Sequence, residues 1–98
     1  MTIEKQLQED KLTVKVGGRL DTNTAPELDA ALKEDLDSIN ELTLDLTDLE
    51  YISSAGLRVL LSTQKVMGKK GGMTVTGVQD VVMDVLEVTG FADILTIV

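Results

Sequence analysis

The sequence predicts a single α/β domain, in which a four- or five-stranded mixed sheet carries about three helices packed mainly on one face. Three observations lead to this fold class. Leucines at every second position of 41–46 are typical of a strand that is buried on one face. Apolar residues recur at helical spacing after Pro26 and again after Gly56. Strands and helices that alternate in this way imply crossover connections, and therefore parallel strand pairs.

The first element is a predicted antiparallel hairpin. Apolar residues alternate with polar ones over 3–7 and 12–16, on either side of Glu9-Asp10-Lys11. Gly17-Gly18 is expected to end the second strand or to bend it, because glycine weakens a strand interior and permits a positive φ. We expect a loop, 19–23, to follow.

The first helix is predicted from a capping box. Thr24 stands three residues before Glu27, so that each side chain can bond the other's backbone N–H, and Pro26 falls in the first turn. The apolar face of this helix comprises Ala25, Leu28, Ala31, Leu32, Leu36 and Ile39. The charged residues between them are expected to face solvent.

A second helix is predicted to begin in the turn 53–56 and to end near Gly68, directly after the leucine strand. The turn 68–72 follows, with lysines placed to favour the negative end of the helix. Residues 73–76 read as a short strand. The predicted helix cores share apolar residues at helical spacing: Leu28, Leu32, Leu36, Leu57, Leu60, Leu61, Val82, Val85 and Leu86.

The segment 78–88 is rich in valine, which favours strands. The spacing of its apolar residues is nevertheless helical, and Gly90 stands where a C-terminal cap belongs. We therefore predict a third helix here, followed by a last strand within 94–98.

Composition limits the class of function. The 98 residues make one domain, and 17 acidic against nine basic residues give a net charge of −8. A field of that sign repels nucleic acid and anionic lipid and favours a partner with a basic surface. The N-terminus lacks the features of a signal peptide, and no apolar run approaches the ~18 residues of a membrane span, so we expect a cytoplasmic protein without membrane insertion.

Catalytic chemistry is hard to build from these residues. There is no cysteine, no histidine, no phosphate-binding loop and no cluster of metal ligands. Asp45 is interpreted as part of the solvent face of a half-buried strand, and Gly71-Gly72 as a turn. We expect no enzyme, no cofactor and no metal; a nucleotide-hydrolysing enzyme is the weakest hypothesis.

The polar turn Ser53-Ser54-Ala55-Gly56 is the main candidate site. A helix that begins there has unpaired N–H groups and partial positive charge at its tip. Ser54 is the natural N-cap, and the small Ala55 and Gly56 leave the tip uncovered. A hydroxyl in this position can carry a phosphate or simply satisfy the end of the helix.

Two motifs resemble the STAS domain family. They are Gly18-Arg19-Leu20-Asp21 and the longer segment from Asp45 to Leu61, and the resemblance in element order covers essentially the whole chain, 1–98. More narrowly, the sequence is similar to the stand-alone bacterial anti-sigma-factor antagonists. The resemblance implies partner switching in transcription regulation: the antagonist binds an anti-sigma factor that is also a serine kinase, is phosphorylated and released, and is reset by a phosphatase.

The resemblance also implies which residues bind the partner. They lie in the loop after the second strand and at the tip of the second helix: Asp21, Thr22, Asn23, Ser53, Ser54, Ala55, Gly56 and Arg58. The family carries its phosphate on the hydroxyl residue directly before the glycine, and that position is Ala55 here. The remaining phosphoacceptor candidates are Ser54 and Ser53.

Several alternatives stay open at this point. Ser54 can act as a cap alone, Ser53 as a turn residue that bonds nearby backbone, and Asp21 as the acceptor of an Asx-turn. Gly56 can permit close approach either of a partner or of the loop that carries Asp21, or it can relieve crowding in the first helical turn. The alternative function is a constitutive STAS scaffold, or a subunit of a membrane transport or signalling complex, without a phospho-switch.

Overall fold

The computed structural model describes residues 1–98 and contains six strands, three α-helices and one 3-10 helix. The strands are β1 (Thr2–Gln8), β2 (Lys11–Leu20), β3 (Glu41–Asp45), β4 (Leu49–Ile52), β5 (Met73–Thr76) and β6 (Thr96–Ile97). The α-helices are α1 (Ala25–Lys33), α2 (Ser54–Met67) and α3 (Asp80–Val88), and the 3-10 helix is Phe91–Asp93. No helix among them combines the length and the apolar character needed to cross a membrane.

The strands form one mixed sheet in the order β1-β2-β3-β5-β6, with β4 paired to β2 beside this path. β1 and β2 are antiparallel, and all other pairs are parallel. The predicted fold class is confirmed, including the hairpin at the start of the chain and the crossover connections. The sheet has one strand more than expected, because the short β4 lies between the leucine strand and α2, in a segment to which the sequence pattern assigned no strand.

The glycine pair in β2 allows this strand to pair with two different strands along its length. Lys11–Lys15 pair with β3, whereas 18–20 pair with β4, and the register shifts between Gly18 and Arg19. Gly18 has a φ of +87°, and a Cβ on Gly17 would lie 2.7 Å from Thr2 Oγ1. The glycines therefore bend the strand rather than end it, and the expected loop 19–23 begins only at Asp21.

The two faces of the sheet differ in burial. Alternate residues of the central strands are buried under the helices: Leu12, Val14, Val16, Leu42, Leu44, Met73 and Val75. Their neighbours, such as Thr13, Thr43 and Thr74, are only half-buried on the opposite face. This alternation is that of a sheet covered on one side, so the expected packing of the helices mainly on one face is confirmed.

The helices follow the predicted phases with small differences. α1 ends at Lys33 and continues as turns, yet Leu36 and Ile39 remain buried as predicted. Leu61 and Val85 are half-buried rather than part of the closed core. The Lys70 side chain donates hydrogen bonds to the carbonyls of Leu36 and Ile39, in the turns that follow α1. The sequence had instead predicted that the lysines of the turn 68–72 interact with the C-terminal end of α2.

Candidate functional site

The N-terminus of α2 is capped by Ser53. This residue is extended, with φ −98° and ψ 176°, and its Oγ accepts a hydrogen bond from the N–H of Gly56 at 3.4 Å. Ser53 O accepts from Leu57 N at 2.9 Å, which closes the first helical turn. The predicted cap, Ser54, is therefore wrong by one residue, because the extended conformation that a cap needs occurs at Ser53.

Ser54 is the first helical residue and its side chain is exposed. Its hydroxyl makes no hydrogen bond within the chain, in contrast to that of Ser53. Ala55 is half-buried, and Arg58, one turn further on, is exposed and forms no ion pair. At the tip of α2, Ser54 therefore has the only hydroxyl that is both solvent-exposed and free of hydrogen bonds.

The loop before α1 is held by the Asp21 side chain. Asp21 Oδ1 accepts from the N–H groups of Asn23, at 3.0 Å, and Thr24, at 3.1 Å. The hydrogen bond from the Thr24 N–H, followed by that from Asn23, lowers the pKa of Asp21 below its ordinary value despite partial burial. Asp21 thus makes the Asx-turn that was one of its two readings, while Thr22 and Asn23 are exposed beside it.

The predicted capping box at Thr24 does not form. The Thr24 hydroxyl donates to Arg19 O at 2.8 Å and accepts from the N–H of Asp21 at 2.8 Å, and its side chain makes no cap bond. Thr24 itself is helical, with φ −96° and ψ −22°, so its side chain turns back to the loop instead of forward to Glu27. The threonine hydroxyl stabilises the loop and not the helix end.

The end of β2, which leads into this loop, contacts the tip of α2. Ser53 N donates to Leu20 O at 2.9 Å, and a Cβ on Gly56 would lie 2.7 Å from Leu20 Cγ and 2.9 Å from Ile52 Cγ1. Only glycine allows this approach without displacing buried side chains, so Gly56 permits close approach of the strand that leads to Asp21. Leu20 and Ile52 are paired at the carboxyl ends of the parallel strands β2 and β4. The two segments expected to bind a partner follow these paired strand ends and therefore lie on one surface.

Tyr51 belongs to this surface, although sequence reasoning missed it. Arg19 on β2 pairs with Tyr51 on β4, and Arg19 Cζ lies 4.1 Å from the centroid of the Tyr51 ring. Arg19 Nε is also 4.0 Å from Asp21 Oδ2. The signal that was missed is the parallel pairing of β2 with β4, since without β4 nothing brings Tyr51 to the loop.

The other acidic candidate has a local structural role. Asp45 Oδ1 accepts from the hydroxyl of Thr47 at 2.6 Å and from its N–H at 3.0 Å. The hydroxyl bond is the main cause, followed by the backbone bond, of a pKa for Asp45 below its ordinary value. Three or more acidic side chains do not converge anywhere in the chain as they would to hold a metal ion.

Comparison with known proteins assigns the family. The family model described as "Mlab, STAS domain" matches residues 3–97. An anti-sigma-B factor antagonist of Staphylococcus aureus is 31% identical over 97 residues, which cover 97% of this chain and 90% of that protein. One from Staphylococcus epidermidis is 28% identical over the same length.

Solved structures agree with this result. The crystal structure of an anti-sigma factor antagonist from Mycobacterium paratuberculosis has a TM-score of 0.89 and 28% identity, and covers 98% of this chain and 83% of that one. The anti-sigma factor antagonist SpoIIAA in its unphosphorylated form has a TM-score of 0.84 at 12% identity, and covers 99% of this chain and 88% of that one, a likeness of fold alone. The chain belongs to the STAS domain family.

Proposed function

We propose that this protein is an anti-sigma-factor antagonist that binds an anti-sigma factor with serine kinase activity. The observation that carries the proposal is the single surface formed by the loop at Asp21 and the tip of α2. The anti-sigma-B factor antagonist of Staphylococcus aureus, which resembles this chain over nearly its whole length, supports the general role. The binding residues are Asp21, Thr22, Asn23, Ser53, Ser54, Ala55, Gly56 and Arg58.

We propose further that phosphorylation of Ser54 releases the partner and that a phosphatase restores binding. Exposure and the absence of a hydrogen bond make the Ser54 hydroxyl accessible to a kinase, whereas the Ser53 hydroxyl is engaged as the cap. The proposal moves the modified position one residue before Ala55. SpoIIAA, which shares the fold, has been solved in a phosphorylated form, so the fold itself accommodates such a modification.

The free energies expected for a phosphate on Ser54 support release of the partner without unfolding of the protein. A phosphate adds about −1.5 to −2 charge, and at a helix N-terminus that charge is stabilising by ~0.3–1 kcal/mol. At a protein interface, an uncompensated buried charge costs ~2–5 kcal/mol, which corresponds to a loss of affinity between about thirtyfold and several thousandfold. The larger effect acts on binding, so the modified protein stays folded and loses its partner.

The experiment compares Ser54→Asp with Ser54→Ala for binding to the anti-sigma factor that co-purifies with the tagged protein from its native cells. Ser54→Asp should bind at least about tenfold more weakly than Ser54→Ala, at a similar melting temperature. The matched control is Ser62→Asp, which adds the same charge at an exposed serine two turns along α2 and should bind as wild type. Equal binding by both Ser54 variants would contradict the switch.

The second candidate is a constitutive STAS scaffold within a membrane transport or signalling complex. The observation that favours it is Ala55, since the position where the family carries its phosphate has no hydroxyl here. On this account a transport complex, and not a kinase, co-purifies with the tagged protein, and no serine is labelled. Neither candidate involves catalysis, and the purified protein should hydrolyse neither ATP nor GTP above a denatured control.

A further inference from the structure

The surface of α3 carries a line of valines of which the core uses only the middle one. Val81, Val85 and Val88 are four and three residues apart, so they lie along one side of the helix. Val81 is 60% exposed and Val88 is 87% exposed, while Val85 between them is half-buried. We call these three residues the valine stripe.

Folding accounts for Val85, which packs against the core, but not for Val81 and Val88. α3 is anchored to the sheet by Val82 and Leu86, which are fully buried on the neighbouring side of the helix. Valine is β-branched and therefore a weaker helix former than alanine or lysine. At exposed positions Val81 and Val88 neither fill the core nor favour the helix.

Exposed apolar side chains are concentrated in this part of the chain. The large hydrophobic residues that are exposed are Leu7, Val66, Val81, Val88, Ile94 and Val98. Four of these six follow residue 80, in the last fifth of the sequence. Apolar side chains that adjoin one another on the surface, as those of the valine stripe do along one side of α3, are typical of an interaction surface, whereas single ones are normal.

The charged side chains of α3 itself are all negative and unpaired. Asp80, Asp84 and Glu87 are exposed on α3, and none forms an ion pair. Asp84 lies one turn from both Val81 and Val88. No lysine or arginine follows Lys70 in the sequence. On α1, by contrast, Asp29 is paired with Lys33 at 2.7 Å.

We propose that α3 is a second docking surface, separate from the tip of α2, for a partner helix whose apolar side is flanked by lysine or arginine. The valines supply the apolar contact, and the unpaired carboxylates select a basic rim. A second copy of this chain does not fit, because packing α3 against α3 about a two-fold axis brings like charges together without a cation to compensate them. The proposal does not depend on phosphorylation of Ser54.

The test uses two synthetic amphipathic helical peptides of about 14 residues, or four turns, that share their leucine positions. One has lysine at its polar positions and the other has glutamate. Titration of the isotope-labelled protein is followed by amide chemical shifts. The lysine peptide should shift the amides of α3 and saturate, and the glutamate peptide should not.

Matched variants distinguish specific binding at the valine stripe from non-specific attraction of a basic peptide to a protein of net charge −8. Val81→Gln/Val88→Gln should weaken binding about tenfold or more at an unchanged melting temperature, and Leu7→Gln/Val66→Gln should bind as wild type. Asp84→Lys/Glu87→Lys should lose the lysine peptide. Glu27→Lys/Asp37→Lys, which changes the net charge equally on and after α1, should retain it.

Three results would overturn the proposal. One is a set of shifts spread over the acidic residues of α1, and another is equal binding by Val81→Gln/Val88→Gln and wild type. The third is a concentration-dependent dimer, seen by sedimentation, that Val81→Gln/Val88→Gln abolishes, since the stripe would then bind a second copy. Each readout is independent of Ser54, so failure here leaves the proposed switch unaffected.

Discussion

The starts of α1 and α2 lie side by side, and each begins with hydroxyl residues, yet they use these hydroxyls differently. At α1, the Thr24 hydroxyl bonds Arg19 O and the Asp21 N–H, so it is committed to the loop. At the start of α2 there are two serines, and only one is needed as the N-cap. Ser53 accepts the cap bond from Gly56 N, and Ser54 is left exposed.

The difference separates a fixed end, whose hydroxyl is bonded within the chain, from an open end, where the Ser54 hydroxyl is exposed and unbonded. In the loop before α1, the Asp21 carboxylate and the Thr24 hydroxyl both bond backbone groups of the same segment. The tip of α2 keeps its cap even if Ser54 is modified or replaced. The contact between Leu20 and Gly56 joins the two ends, so that a change at either is presented on the same surface.

The contrast between the two helix starts requires that α2 is packed against the core, and mutations in this packing should have the largest effect on stability. Leu60 is fully buried on α2, and Leu60→Ala should lower the free energy of unfolding by ~2–5 kcal/mol, because it leaves a cavity. Native stability is only ~5–15 kcal/mol, so a denaturant melt resolves the loss. Val66→Ala, at a 38% exposed position of the same helix, is the control and should change little. A wild-type melt for Leu60→Ala would contradict the packing described here.

The next test concerns the close contact of Gly56 in α2 with Leu20 and Ile52. Gly56→Ala places a methyl group against Leu20 and Ile52, both buried, and crowding of this kind costs ~1–3 kcal/mol. The better helix propensity of alanine returns up to ~1 kcal/mol, so the net result should be a loss. Gly68→Ala at the other end of α2, where φ is −63° and the nearest atom to an added Cβ is Gln64 O at 3.0 Å, should cost less than Gly56→Ala. If both glycine variants gained stability, Gly56 would not be needed for close approach.

The two serines at the tip of α2 should differ in their effect on stability. Ser53→Ala removes the cap and should cost ~1 kcal/mol, whereas Ser54→Ala removes an unbonded hydroxyl and should stay within ~0.5 kcal/mol of wild type. Chemical denaturation of the two variants in parallel measures both values. The reverse order would make Ser54 the cap and remove the distinction between the helix starts.

The smallest effect is a pH dependence at the fixed end. The folded-state pKa of Asp21 is below that of the unfolded chain, so its charge stabilises the fold above the unfolded value of about 4, and this contribution is lost as the pH falls through the folded-state pKa. Asp21→Asn should therefore be less stable than wild type at pH 7, and the difference should shrink in acid. Melts of both proteins from pH 7 to pH 2 test this, and a constant difference would show that the charge of Asp21 plays no part.

Much of the fold could be predicted because the spacing of apolar residues along the sequence reflects which side of each element is buried. The alternation of leucine in β3 and the helical spacing in α3 identified elements that pack on one side, even against the strand preference of valine. β4 could not be predicted, because Leu49–Ile52 is too short for a period and its pairing depends on the bend at Gly17-Gly18.

The sequence predicted which two segments form the candidate site, and their role in binding a partner stays a prediction. The structure adds that the strands leading into the two segments pair at Leu20 and Ile52, and that Gly56 permits the close contact of α2 with both residues. The assignment of caps failed at both helices for one reason: a side-chain hydroxyl bonds whichever backbone group the chain brings nearest, and that depends on φ and ψ at a single residue. Tyr51 was missed because its partner, Arg19, lies 32 residues earlier on another strand.

Labelling by the co-purified anti-sigma factor, with radioactive ATP, tests the central claim that Ser54 is the modifiable hydroxyl of this surface. Wild type and Ser53→Ala should be labelled, Ser54→Ala should not, and Ala55→Ser, which restores the family pattern, should be the better substrate. Label that persists in Ser54→Ala, or a wild type that takes up none while Ala55→Ser is labelled, would contradict the claim.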